Sequence, residues 1–211
     1  MSSLSKPDTI ILHTISRVKE LFLKRPDKVH GIQHAQRVAA HAEYIAKEEG
    51  ADAYIAILAG WLHDIGRAIE EHPEDFPSYD SSKTHHELSY EMLRDWFRED
   101  SVYDDLTDTQ KIELLYAVRY HWNDDAKEYK SAIILRDADK LDGFGEIGLQ
   151  RSIDFFPNPV KRNIDLRLRY HTAYYLQTKT AKDMFAKLKL LEPINAYLQK
   201  INMAGISPIE L

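Results

Sequence analysis

The sequence predicts an all-α protein that folds as a single-domain helical bundle. Apolar residues recur at spacings of three and four in nearly every long segment, which is the period of an amphipathic helix. Strict alternation of apolar and polar residues, which would indicate strands, is scarce. Pro26, Gly50 and Pro157 fall between the periodic segments, where a missing N–H donor or a freer backbone does no harm.

The same periodicity places the helices along the chain. They are predicted over residues 8–24, 33–49, 52–65, 84–99, 108–122, 130–141, 163–178 and 180–201. Asp52 is a candidate N-cap for the third helix, and Thr107 or Asp108 for the fifth, because their side-chain oxygens can accept the free N–H groups of a first turn. The polar stretch 67–83 contains two prolines and is predicted to be a loop.

Composition narrows the class of protein. The chain has 211 residues, of which 44% are hydrophobic, enough for one sizeable core. Because it has no cysteine, disulfides, thiolate metal sites and a cysteine nucleophile are excluded. The N-terminus lacks the layout of a signal peptide, and the longest strongly apolar run, 54–62, is too short to span a bilayer. We therefore expect a cytoplasmic protein with no membrane partner.

Charge is distributed unevenly. Residues 1–150 carry 18 basic and 29 acidic side chains, whereas 151–211 carry 10 and 5. The acidic first part argues against binding of duplex nucleic acid, which depends on neutralising phosphates. The basic second part is most simply a solvated surface, although it could face an anionic substrate or the second subunit of a homodimer. Its basic residues include Lys161, Arg162, Arg167 and Arg169.

Several of the ten histidines lie on apolar helix faces, where an unpaired imidazole would be costly. His34 shares a stripe with Val38, and His121 shares one with Val118. The apolar run 54–62 ends at His63-Asp64, where its pattern predicts another apolar residue. Asp139 adjoins the apolar side of the sixth helix, and His85 or His86 opens the fourth.

Each of these residues alone is more often a satisfied core residue than a ligand. Together they indicate a nitrogen- and oxygen-ligand metal site built from several helices of one bundle.

In these residues the sequence resembles the HD superfamily of metal-dependent hydrolases, whose pattern is a His, then His-Asp, then a distant Asp. The pattern corresponds to His34, His63-Asp64 and Asp139. The resemblance covers roughly residues 30–151, through HAQRV (34–38), AGWLHDIGR (59–67), HHELSYEML (85–93), RYHWN (119–123) and RDADKLDGFGEIGLQR (136–151). It is greatest for the compact stand-alone branch of predicted phosphohydrolases. Gly31 is a departure, because that branch often has Asp after the first His of HGIQH.

The resemblance implies one HD-type domain over 1–211, with a motif-bearing core of about 30–151 and C-terminal helices over 160–203 packed on it. It implies that His34, His63, Asp64 and Asp139 bind a first metal ion, Asp139 being preferred to Asp137 and Asp142 because it occupies the ADKL position. In two-metal members further histidines hold a second ion and the HD aspartate bridges both. His85, in preference to His86, and His121 are the candidates here.

The implied activity is hydrolysis of a phosphate ester, nucleotide-like or otherwise small, by water activated on one or two ions of Mn, Fe, Co, Ni, Zn or Mg. Asp64 and His63 would act in catalysis as ligands. Arg37 is the favoured phosphate contact, because it lies one turn after His34, and the other candidate cations are Arg67, Lys83, Arg119 and Lys140. No Ser-His-Asp arrangement or glycine-rich phosphate loop is evident. The alternatives are a di-iron HD-domain oxygenase with the same ligands and a non-catalytic signalling module.

Overall fold

The computed structural model describes residues 5–173 and 175–205, and the regular structure in these ranges is helical, without strands. The predicted all-α class is therefore confirmed. Residues 1–4, 174 and 206–211, which fall in the predicted domain, lie outside the described residues. In chain order the helices are α1 (Lys6–Lys24), α2 (Ile32–Glu48), α3 (Ala53–Leu62), α4 (Arg67–Glu71), α5 (His85–Glu99), α6 (Asp108–Tyr120), α7 (Lys130–Asp142), α8 (Gly145–Phe155), α9 (Pro159–Ala173), α10 (Lys179–Lys187) and α11 (Glu192–Lys200). Short 3₁₀ turns occupy Pro73–Asp75 and Ser101–Asp105.

Helix α3 forms the centre of the bundle. Its sequence is almost entirely apolar, and it contacts α1, α2, α6 and α7. Its most extensive contact is with α2, where Gly60 lies against the backbone of Ala39. A Cβ on Gly60 would lie 2.4 Å from the Ala39 Cα, so only glycine allows the two helices to approach this closely. This contact holds the ends of α2 and α3, which carry His34 and His63, close together.

We expect Gly60→Ala to lower the free energy of unfolding by about 1–3 kcal/mol or more, because the added methyl group overpacks a rigid backbone contact. Thermal or urea denaturation followed by circular dichroism would measure the change. Gly205→Ala is the matched control, since a Cβ there meets nothing closer than the Asn195 side chain at 3.4 Å. Equal stability of the two variants would contradict this account of the α2–α3 contact.

The predicted caps are present and set where the site-bearing helices begin. The Asp52 carboxylate accepts from the backbone N–H groups of Tyr54 and Ile55 at the start of α3. Of the two candidates for α6, Thr107 is the cap. A cap that was not predicted is also present, because Thr84 forms a reciprocal capping box with Glu87 at the start of α5. This capping box places His85 at the first position of α5, beside the end of α3.

Two parts of the helix prediction were wrong. The residues of α8 were not predicted to be helical, and they include Gly145 and Gly148, a residue type of low helix propensity. A Cβ on Gly148 would lie 2.2 Å from the backbone of Gly143, so this glycine serves a close approach and does not mark a loop. The predicted helix 180–201 is two helices, α10 and α11, separated by a turn in which Lys189 has a φ of 52°.

Smaller differences concern helix ends. The predicted helix 52–65 ends at Leu62, and His63 to Gly66 form a turn before α4. The predicted loop 67–83 therefore begins with a short helix. Helix α9 begins at Pro159, four residues before the predicted start at 163. None of the described helices is both long enough and apolar enough to cross a membrane.

Candidate metal centre

Five structural elements bring the six predicted ligands to one place. His34 lies in the first turn of α2, His63 and Asp64 follow α3, and His85 begins α5. His121 follows α6, and Asp139 lies in the second half of α7. His34, His63, Asp64 and His121 are buried, whereas His85 and Asp139 are half-buried.

The turn that carries His63 and Asp64 is fixed against α5. The Gly66 N–H donates to Ser89 Oγ at 2.8 Å, and a Cβ on Gly66 would lie 2.2 Å from the carbonyl oxygen of His85. Because the backbones of the turn and of α5 touch, Asp64 and His85 keep a fixed relation to each other. This close contact also decides which histidine of the pair 85–86 faces Asp64.

The first group of ligand atoms comes from His34, His63 and Asp139. The Nε2 atoms of His34 and His63 lie 3.2 Å apart, and the Asp139 Oδ1 lies 3.3 Å from His34 Nε2 and 3.9 Å from His63 Nε2. Atoms bound to one transition-metal ion at about 2.0–2.2 Å lie roughly 3–3.5 Å from one another. These separations fit a shared ion with little rearrangement.

The second group comes from Asp64, His85 and His121. The Asp64 Oδ1 lies 3.6 Å from His85 Nε2 and 3.8 Å from His121 Nε2. The other carboxylate oxygen, Oδ2, lies 3.6 Å from the Nε2 atoms of both His34 and His63. One carboxylate thus faces both groups, one oxygen to each.

Asp64 Oδ1 also provides a direct test of whether these residues fit a metal ion. It is buried and accepts no hydrogen bond. Leaving a charged oxygen buried without a donor is costly, so such an atom calls for a partner that the side chains around it do not supply. A cation coordinated by Asp64, His85 and His121 would be that partner.

Hydrogen bonds on the far side of three imidazoles set their tautomers. The Nδ1–H of His34 donates to Asp142 Oδ2 at 2.7 Å, that of His63 donates to the Gly60 carbonyl at 2.9 Å, and that of His121 donates to the Val118 carbonyl at 2.7 Å. With the proton on Nδ1, the unprotonated Nε2 of each ring is directed to the centre. This is the usual support of histidines that bind metals.

The pKa values of His63, His85 and Asp64 agree with ligands that are ready to bind a metal ion. Burial lowers the pKa of His63 to about 4 and that of His85 to about 3, so both rings are neutral at pH 7. Burial alone would raise the pKa of Asp64. At the acidic pH where a carboxyl titrates, however, His63 and His85 gain positive charge, and together with Arg67 they hold the pKa of Asp64 well below its usual range.

The pKa of His34, in contrast, is raised. Burial disfavours its protonated form, but its hydrogen bonds with Asp139 and Asp142 outweigh burial and raise its pKa. The two carboxylates thus favour positive charge at this position.

A cavity of about 200 Å³ opens next to the two groups. Besides ligand candidates it is lined by basic side chains, which are His30, Arg67, Lys140, Arg151 and Arg169. The Arg67 Nε is buried, donates no hydrogen bond and lies 3.9 Å from Asp64 Oδ1. The cavity therefore places positive charge and a free donor beside the candidate ligands.

Arg37, the expected phosphate contact, does not line this cavity. Its guanidinium donates to both oxygens of Asp142, with Nε 2.5 Å from Oδ1 and Nη2 3.0 Å from Oδ2. Arg37 therefore supports His34 through Asp142. Two other cations that the sequence offered as phosphate contacts, Lys83 and Arg119, also do not line the cavity. Lys83 pairs with Glu91, and Arg119 lies over the ring of Tyr90.

The sequence did not indicate the supporting roles of Asp142 and Arg151. Asp142 accepts from His34 and Arg37, and also from Arg151 Nη1 at 2.7 Å. The sequence feature that could have indicated the role of Asp142 is its spacing from Asp139, because the two residues are three apart and share one side of α7. Asp137, the other alternative to Asp139, faces away and accepts from the backbone N–H groups of Gln177 and Thr178.

His86, the alternative to His85, also lies outside the two groups. Its Nε2 is 2.8 Å from Thr84 Oγ1, and its ring packs against Trp122. The apolar pattern left both adjacent histidines open and the resemblance favoured His85, whereas the close contact of α5 with Gly66 places the His85 ring beside Asp64.

Comparison with known proteins decides the family. The family model of the HD domain matches residues 31–143, which is more than half of the chain and includes all six ligand candidates. The chain belongs to the HD-domain family. The expected resemblance is therefore confirmed.

Solved structures of similar proteins have the same fold. A protein described as a predicted HD superfamily hydrolase, from an uncultured Thermotogales bacterium, matches with a TM-score of 0.65 at 23% identity, over 90% of each chain. Bacillus subtilis YpgQ, solved in complex with ADP, matches with a TM-score of 0.65 at 17% identity, over 93% of this chain and 95% of that one.

Curated relatives of this HD-domain protein include two ribonucleases Y. That of Aquifex aeolicus is 27% identical over 124 residues, or 59% of this chain, and that of Alkaliphilus metalliredigens is 32% identical over 110 residues, or 52% of it. The match spans 19% of the length of each relative.

Proposed function

We propose that this HD-domain protein is a metal-dependent phosphohydrolase acting on a nucleotide-like or other small phosphorylated substrate. One observation carries the proposal: a cavity lined by Arg67, Lys140 and Arg169 lies directly beside the two groups of ligand atoms. The ligand atoms alone suit a hydrolase and an oxygenase equally well. Cationic side chains around the same cavity favour an anionic substrate, and hence hydrolysis of a phosphate.

In this proposal His34, His63, Asp139 and Asp64 hold one divalent ion, while Asp64, His85 and His121 hold a second. Divalent ions so bound would supply a water of lowered pKa and would neutralise charge on phosphoryl oxygens. Imidazole and carboxylate ligands suit Mn, Fe, Co, Ni or Zn, and carboxylates also suit Mg.

The protein's own groups orient the substrate. The Arg67 Nε is a buried donor without a partner beside Asp64, so a phosphate oxygen at this end of the cavity would satisfy it. Lys140 and Arg169 line the same cavity, although each also pairs with an acidic residue, Asp124 and Asp165 respectively. A substrate phosphate would share these cations with their present partners.

Two kinds of similar protein suggest which substrates to test first. YpgQ was solved with ADP, which supports a nucleotide, and the ribonuclease Y relatives support a phosphodiester. The acidic first part of the chain argues against duplex nucleic acid. We therefore give priority to nucleoside polyphosphates, followed by short single-stranded RNA and simple phosphomonoesters.

The test is a substrate panel of these three classes, assayed with Mn, Mg, Co, Ni and Fe, beside elemental analysis of the purified protein. Release of phosphate or pyrophosphate, or cleavage of RNA, by the wild type but not by Asp64→Asn would support the proposal and identify the class. Oxygen consumption by iron-loaded protein, without hydrolysis of any substrate, would replace it with the oxygenase alternative.

A further inference from the structure

A third group of potential metal ligands lies beside the cavity and takes no part in the function proposed above. It consists of Asp27 and His30, in the loop between α1 and α2, and Glu71, the last residue of α4. One ligand atom from each side chain lies within 4.8 Å of the other two. Like the central groups it combines imidazole and carboxylate ligands, but it has one imidazole and two carboxylates where each central group has two imidazoles and one carboxylate.

Two atoms of this group are buried without hydrogen bonds. They are Asp27 Oδ2 and His30 Nδ1, which lie 3.3 Å apart. The Asp27 side chain is only 9% exposed, so water does not readily solvate its charge. The other oxygen of Asp27, Oδ1, accepts from the Val29 N–H at 2.7 Å. One carboxylate oxygen is thus used to fix the loop, while the second faces His30 Nδ1 as a buried ion pair.

Glu71 brings a second negative charge to the same place. Its burial, followed by the negative charge of Asp27, raises the pKa of the Glu71 carboxyl. Two carboxylates held together in this way repel each other unless a positive charge is shared between them. His30 is the histidine within reach, and its ring is held edge-on between the rings of His34 and Phe155.

The backbone of the loop is built to hold this arrangement. A Cβ on Gly31 would lie 2.2 Å from the Asp27 carbonyl oxygen, so the loop can close in this way only with glycine at position 31. The departure of Gly31 from the usual pattern of its family branch thus coincides with the tight turn that faces Asp27 toward His30.

We infer that Asp27, His30 and Glu71 form an additional binding site for a divalent transition-metal ion, separate from the central groups. An ion there would bind Asp27 Oδ2 and His30 Nδ1 in place of their mutual ion pair and would neutralise the charge of the two carboxylates. Since His30 also lines the cavity, the ion would add positive charge at its wall. Glu71 is exposed, so this site is expected to exchange its ion more readily than the buried central groups.

Titration of metal-depleted protein with Mn²⁺, following free Mn²⁺ by electron paramagnetic resonance, tests the inference without relying on activity. We expect Asp27→Asn and Glu71→Gln each to bind one Mn²⁺ fewer per chain than the wild type, with the tighter sites retained. Asn at position 27 keeps the oxygen that accepts from Val29, and Glu71 is exposed, so both variants are expected to fold. Glu74→Gln is the matched control, because Glu74 is an exposed neighbour outside the group.

The same titration on Asp64→Ala separates this site from the central ones. The inference requires the weaker Mn²⁺ site to persist in Asp64→Ala and to disappear when Glu71→Gln is added. Equal Mn²⁺ capacity of the wild type, Asp27→Asn and Glu71→Gln would overturn it. A loss that occurs equally in Glu74→Gln would overturn it as well, by indicating nonspecific binding to surface carboxylates.

Discussion

Asp64→Ala is expected to lower the rate of phosphate-ester hydrolysis by about 10³-fold or more. Loss of a group that merely supports a metal ligand costs about 10–100-fold in metal affinity or activity. Asp64 faces both groups of ligand atoms, one oxygen to each, so its removal affects two candidate ion sites at once. Steady-state assays with the best substrate of the panel would measure the loss.

The helical circular dichroism of Asp64→Ala should be unchanged, since the apolar core around α3 is intact. Asp183→Ala is the control, because Asp183 is half-buried at the surface, pairs with Lys179 and belongs to neither group of ligand atoms. Hydrolysis by Asp64→Ala at the wild-type rate would show that the site is wrongly assigned.

His121→Ala is expected to reduce the central metal content by one ion per chain and to abolish most of the hydrolysis. His121 is buried, its Nε2 lies 3.8 Å from Asp64 Oδ1, and its Nδ1–H is held by the Val118 carbonyl. The ring therefore has one free nitrogen, directed at an oxygen that lacks a hydrogen bond. Elemental analysis after gel filtration would count the tightly bound ions.

His86→Ala is the matched control for this experiment. His86 lies close to His121 in space, but its Nε2 is next to Thr84 and its ring packs against Trp122. Its replacement should leave the metal content at the wild-type value. If His121→Ala also retains the full metal content, the protein has the one-ion form of the site, and His121 is a supporting residue.

The parts of the site that could be predicted from the sequence are those with a strong local pattern. His34 and His121 lie on apolar stripes, and His63-Asp64 interrupts an apolar helix, so each was expected to point inward. Because these positions conflict with the apolar pattern around them, they stand out without any knowledge of the fold.

The parts that could not be predicted depend on contacts between segments distant in sequence. Arg37 has the spacing of a phosphate contact, but Asp142 on α7 takes its guanidinium. The choice between His85 and His86 depends on the backbone contact of Gly66 with α5. Side-chain periodicity reports which face of a helix is buried, and it carries no information about which partner lies across that face.

Some helix boundaries could likewise be predicted from the sequence, and others could not. The break between α10 and α11 occurs at Lys189, which adopts a positive φ without being glycine. Pro193 in the first turn of α11 was the available signal, because proline is favoured at a helix start and disfavoured inside one. Helix α8 was missed, and the close packing of Gly148 on Gly143 that makes glycine suitable there is visible only in three dimensions.

The most direct test of the account is the dependence of hydrolysis on metal. The protein would be stripped of metal with a chelator, dialysed, and assayed on the best substrate while Mn²⁺, Co²⁺, Ni²⁺, Fe²⁺, Zn²⁺ or Mg²⁺ is added back. We predict that the stripped protein is inactive, that at least one of these ions restores hydrolysis to the wild-type rate, and that no ion restores it in Asp64→Ala. Full hydrolysis by the stripped protein, at the same rate with and without added metal, would contradict the account.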